Sequence, residues 1–351
     1  MTSHAGDLRF GIHAGQQHAT FDEYLAIWRL AEDVGLDWAS VFDHFLPIQS
    51  DPTGPCFDGL TLLAAMAAHT RRLRCGVIVT GVTYRNPAIL AKIAATIDHV
   101  SGGRMELGLG AAWNEDEHVQ YGIPFPRIGE RMDMLDEACR IVKALWTQER
   151  ATFEGKHFQV RDALCEPKPV QSPLPLIVGG AGERRTLRIV AEHADGWNMF
   201  FGDAGEYQHK LDVLERHCAD VGRDPAEIRR QVVFQAVLGE TEAEAQDRAS
   251  QRPAVLDGRV VGTPDQLADA LEGHRRLGVS DFLLLARPPM DQRTIELFAT
   301  QVAPRLRAAR YSGFCCSSRM TCITALMSAR CVKACGKLPR WRPVDASSSS
   351  A

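Results

Sequence analysis

The sequence predicts an α/β fold, a (β/α)8 barrel, and three observations carry that prediction. A short apolar run followed by an amphipathic segment recurs eight times along the chain. The runs have the near-continuous apolar character of strands in a parallel sheet covered on its outer side. Gly35 and Gly222 close helical segments, where a left-handed backbone is cheap, and Pro87 and Pro264 stand where helices would begin. A doubly wound sheet would normally place a nucleotide-binding glycine loop after its first strand, and here that strand ends in HAGQQHAT.

The units run in order. LRFGIHAG (8–15) leads to a helical segment at 21–35, and WASVFDH (38–44) to one at 57–70. LRCGVIVTG (73–81) leads to 87–100, and RMELGLGA (104–111) leads, after an insertion, to 129–146. PLIVGG (175–180) precedes 183–194, and GWNMFF (196–201) precedes 204–222. IRRQVVFQAVLG (228–239) is followed by acidic helical material, and SDFLLLA (280–286) by 291–302. Two segments break the rhythm. Residues 149–174 contain FEGKHFQV, which reads as a β-hairpin, and residues 240–263 read as a helix and a loop. Insertions of this kind belong at barrel loops, where substrate-binding lids are common.

The barrel accounts for residues 1–310 as a single domain. With 45% apolar and 24% charged residues, the 351-residue chain has a folded composition, and a net charge of -4 predicts neither nucleic acid nor an anionic membrane as partner. The opening residues lack a signal peptide's basic and apolar regions, and no apolar stretch is long enough to span a bilayer. A cytoplasmic enzyme is the expectation. Of ten cysteines, Cys56, Cys75, Cys139, Cys165 and Cys218 are scattered without metal-like spacing. Cys315, Cys316, Cys322, Cys331 and Cys335 crowd into residues 311–351, a basic stretch ending in SSSSA. A zinc knuckle on Cys331 and Cys335 would lack a second pair, so this tail reads as a disordered or non-native appendage.

In a barrel the chemistry sits at the C-terminal strand ends. Here those carry His13, Asp43 and His44, Thr80 and Gly81, residues 110–117, Gly179 and Gly180, and Asn198. Asp43-His44, in VFDHFLP, has three readings: a metal site with His13 and Glu115, a core histidine satisfied by Asp43, or a proton carrier beside a ring cofactor. No H-x-H or H-E-x-x-H supports the metal, so none is expected, although a metal-dependent barrel hydrolase stays an alternative. His118 with Glu115 and Glu117 forms a second candidate group, or a solvated helix start. In VGGAGERR (178–185), small residues lead to a helix start carrying Arg184 and Arg185, a place for a phosphate.

SVFDHFLP, the stretch from TGVTYRNP to NEDEHVQYGIPF, GERMDMLDEACRIVKALW and PLIVGGAGERRTLRIVAEHADGWN together resemble the luciferase-like monooxygenase superfamily, in the branch using the deazaflavin F420. The resemblance runs from about residue 8 to 305. It implies F420 as cofactor, FMN being the alternative within the superfamily, and hydride transfer to or from a small organic substrate; with FMN the chain would be a monooxygenase. It assigns Asp43 to cofactor binding and His44 to catalysis. A non-prolyl cis peptide is implied among Val77, Ile78 and Val79, with Thr80 and Asn114 near the cofactor. Gly179, Gly180, Ala181 and Gly182 match positions near its phosphate. His13, Ile48, Trp113 and His118 are left for the substrate pocket. Sugar-phosphate dehydrogenases of the family have a tryptophan near Ile48 and a glutamate near Trp113, which speaks against a sugar phosphate here. A homodimer is likewise implied by the resemblance.

Overall fold

The computed structural model describes residues 7–308, apart from 253. Eight parallel strands close into a barrel: β1 (Arg9–Ala14), β2 (Trp38–Asp43), β3 (Arg74–Gly81), β4 (Met105–Gly110), β5 (Leu176–Gly179), β6 (Gly196–Phe200), β7 (Arg229–Phe234) and β8 (Asp281–Ala286). Neighbours in sequence are neighbours in the sheet, and β8 closes on β1. Each strand falls inside a run that the sequence marked. One compact unit ends at Pro304. The cysteine-rich tail at 311–351 lies outside the described residues. Among the described residues no helix is long and apolar enough to cross a membrane.

Local chemistry sets the helix ends. Thr20 and Glu23 form a reciprocal capping box at Phe21–Asp33, and Pro87 occupies the first turn of Pro87–Ser101 behind an Asn86 cap. Gly35 and Gly222 take φ values of +82° and +69°, as their places after helices required. The predicted hairpin forms from Ala151–Glu154 and Gln159–Ala163. Its turn is held by Glu137, whose carboxylate accepts the N–H groups of Lys156, His157 and Phe158.

Two parts of the reading are corrected. The run 228–239 is two strands: after β7, Ala236–Leu238 leaves the barrel and pairs with Val260–Gly262. Three residues are too few to show a period, so the sequence alone reads this latter segment as loop. Helix Thr186–His193 begins after Arg184 and Arg185 rather than containing them.

Inside the barrel, Trp38, Ile78, Ile177, Val233 and Leu283 pack into one apolar cluster. Beneath it, at the N-terminal strand ends, lies a buried ion network. Arg9 donates from Nε to Asp281 at 2.8 Å and from Nη1 to Glu106 at 2.5 Å. Arg74 and Arg229 add further bonds to Glu106 and Asp281, and the Arg9 guanidinium lies 5.5 Å from the Trp38 ring centre. Charge plugs one end of the barrel, and the cavity opens at the other.

Candidate active site

A cavity of about 890 Å³ occupies the C-terminal face, as the strand directions require. Its wall includes His13, Asp43, His44, Ile48, Ile78, Val79, Trp113, Gly179, Gly180, Ala181 and Asn198. Five sequence candidates do not reach it. Val77 is fully buried behind the wall, Gly182 is exposed outside it, and Asn114 uses its carbonyl to meet the His118 ring. Thr80 is buried and acts only through its hydroxyl on Asp43. His118 is enclosed under helix Glu115–Tyr121, where its Nε2 meets Thr83 Oγ1 at 2.6 Å. That helix start is solvated at Glu115 and Asp116, whereas Glu117 and His118 have no exposed surface.

A bulge in β3 shapes the floor. Its register shifts between Val77 and Thr80, and the Ile78–Val79 peptide is the cis bond placed in this stretch. The Val79 side chain lies over β4 and β5 so closely that a Cβ at Gly110 or Gly179 would stand 2.6 or 2.8 Å from its methyl groups. At both positions the close approach of Val79 leaves no room for a side chain, a packing demand that glycine meets. Of the two expected cations, Arg185 is bound to Asp133 and to the Gly129 carbonyl.

Asp43 does not orient His44. Its Oδ2 accepts from Thr80 and, at 2.5 Å, from Arg85 Nη1. Burial pushes the carboxyl above its ordinary range, against the pull of Arg85 and Thr80. Its Oδ1 is buried and has no partner in the protein. An acceptor left this way on a cavity wall is complemented by a donor on a bound ring.

The partner of His44 is Glu117, seen in sequence only as half of an acidic pair. Glu117 Oε2 lies 2.7 Å from His44 Nδ1 and 2.6 Å from the Tyr84 hydroxyl, while Oε1 accepts from Phe45 N and Leu46 N at 2.6 and 2.9 Å. Burial works to raise this carboxyl, but His44, Tyr84 and the Leu46 N–H outweigh it and hold it below its ordinary range. An ionised Glu117 only accepts, so His44 Nδ1 carries a proton and Nε2 is left for the cavity. Trp113, 60% exposed, stands with its ring centre 5.3 Å from the His44 ring in an edge-on arrangement. Tyr84 and Arg85 are the site residues that sequence reasoning missed, and for Glu117, a candidate beside Glu115 and His118, it missed the pairing with His44. The acid at the third position of a short helix was the one visible signal.

The metal grouping does not form: His13 meets Ser40, His44 meets Glu117, Asp43 meets Arg85, and Glu115 is exposed. Among the described residues, one set of donors lies close enough for an ion, Asp136, Glu192 and His193, on helices outside the barrel.

Known proteins extend this picture. The chain is 38% identical over 211 residues to an uncharacterized protein of Mycobacterium tuberculosis, covering 56% of this chain and 73% of the relative. It is 28% identical over 338 residues to the F420-dependent glucose-6-phosphate dehydrogenase of Kineococcus radiotolerans, covering 87% of this chain and 99% of that one. Among solved structures, an F420-dependent secondary alcohol dehydrogenase in complex with an F420-acetone adduct superposes with a TM-score of 0.75 at 19% identity. It matches 86% of this chain and 99% of that one, a likeness of fold. The family model described as luciferase-like monooxygenase matches residues 6–259, well over half of the sequence. With the barrel, the β3 bulge and the cavity in place, the chain belongs to the luciferase-like monooxygenase family.

Proposed function

We propose that this protein is an F420-dependent oxidoreductase that moves a hydride between the deazaflavin and a small organic substrate. The observation that carries the reading is the buried, unpartnered Asp43 Oδ1 beside a His44 already fixed by Glu117, both on one cavity wall. Relatives named F420-dependent that align along nearly the whole chain support it. The residues fit such a group: Asp43 offers an acceptor, Ile78 and Val79 an apolar backing, and Gly179, Gly180 and Ala181 a small-residue rim. Bound there, the deazaflavin supplies the carbon that gives or takes the hydride.

The chain's own part is positioning and proton management. Asp43, held by Thr80 and Arg85, anchors the ring edge. His44 Nε2 takes up or delivers the proton that accompanies hydride transfer at the substrate carbon. Trp113 and Ile48 wall the substrate side. A single catalytic unit over about 1–310 and a cytoplasmic location go with this reading, as does a homodimer, which the family resemblance supports.

Fluorescence titration tests the cofactor directly, with F420 and FMN offered in parallel. F420 is expected to bind with the higher affinity; an FMN preference would turn the reading toward flavin-dependent oxygenation. Glu117→Gln, whose amide can accept at only one of the two ends that now face His44 and the Phe45 and Leu46 N–H groups, loosens the control of the imidazole tautomer and is expected to lower kcat on the order of 10- to 100-fold. It should also change the pH dependence of kcat, whereas a merely structural role would leave that profile's shape alone.

A further inference from the structure

We propose that the substrate of this site is a small carboxylic acid with an apolar body, its carboxylate held by Arg287. The inference rests on the reading above, in which substrate and deazaflavin share the cavity. Arg287 directly follows β8, whose last residue, Ala286, pairs with Ala14 of β1. It therefore stands at the same rim as His13 and His44, on the side away from the Val79 floor. Its Nη2 donates to the Ile48 carbonyl at 2.6 Å and Nη1 reaches the Gln49 side-chain oxygen at 3.5 Å, which leaves guanidinium donors over. Both acceptors are neutral. Among the described residues no carboxylate pairs with Arg287, and it is the one arginine or lysine on the cavity wall.

The wall also carries Asp43, Glu206 and Asp257, but none of these pairs with Arg287, and a half-buried cation without a paired carboxylate is costly in a way that a bound anion relieves. Burial alone lowers the Arg287 guanidinium from its ordinary value, with no acid acting to raise it. Neighbouring His13 is pushed down to about 4, by burial first and then by Arg287 and His44, so it is neutral near pH 7. The His13 side of the rim therefore offers one fixed positive charge. That matches a monoanion: a phosphate dianion would draw on further cations, and no lysine stands on the wall. A planar carboxylate fits the open edge of one guanidinium. Ile48, Leu285, Val255 and Leu256, also on the wall, supply apolar contact for the rest of the molecule.

The test uses the full chain and measures binding by calorimetry, with benzoate, phenylacetate and octanoate set against their amides. Wild type should prefer at least one acid over its amide by 10-fold or more, and R287M should lose that preference. R287K, which keeps the charge, should recover part of it. F420 affinity, measured by fluorescence on the same samples, should be unchanged in R287M. Absence of any acid-over-amide preference, or acid binding by R287M equal to wild type, would overturn the assignment. A matching loss of F420 affinity in R287M would give the arginine to the cofactor and overturn it as well. Failure of wild type to bind F420, with the acid preference intact and dependent on Arg287, would sink the cofactor reading alone.

Discussion

His44→Ala is expected to lower kcat by roughly 10²- to 10⁴-fold while cofactor affinity changes by no more than a few-fold. The split follows from geometry. His44 is buried, its Nδ1 is committed to Glu117, and Nε2 remains for the reacting partner. Asp43, by contrast, uses Oδ2 on Thr80 and Arg85 and has Oδ1 to spare, so the anchoring of a ring does not pass through His44. The two adjacent residues thus belong to separate networks, and an alanine at one leaves the other's partners in place. Single-turnover absorbance of the deazaflavin checks this, read beside an equilibrium titration. A variant with wild-type turnover, or one that lost binding and turnover in equal measure, would remove His44 from the chemistry.

Asp281→Ala is expected to destabilise the fold by about 3–5 kcal/mol, with the active-site geometry untouched. Asp281 is fully buried and takes bonds from Arg9, Arg229 and Gln231. Removing it leaves Arg9, itself buried, with Glu106 as its remaining acidic partner. Burial alone would raise the Asp281 carboxyl, but Arg9 and Arg229 hold it far below its ordinary range. An acid depressed in the folded state contributes stability above its unfolded value and loses it only as pH falls through the folded one. The cost of the substitution should accordingly be the same at pH 5 as at pH 7. Urea unfolding at both pH values checks this, and a midpoint within error of wild type would contradict it.

The barrel was legible because its signal is local and repeated. Each strand buries both faces and each helix one, so every unit carries its own apolar signature, and eight units average out any single ambiguity. The exceptions are short: Val260–Gly262 has too few residues for a period, and the helix at Thr186–His193 starts later than its charges suggested. Placement at strand ends also brought His13, Asp43 and His44 to the cavity. It failed for His118, since whether a side chain on a helix start turns inward to Thr83 or outward to a ligand is not written in the spacing.

The sequence by itself determined the strand order, the face that bears the site, the family and the place of Asp43 and His44 on that face. Only the tertiary structure decided who pairs with whom. His44 meets Glu117 across 73 residues and Arg9 meets Asp281 across 272, pairings that exist because the sheet closes. Apolar periodicity is set by the chain's immediate neighbours, whereas hydrogen bonds and ion pairs between strand ends depend on register and closure of the whole barrel.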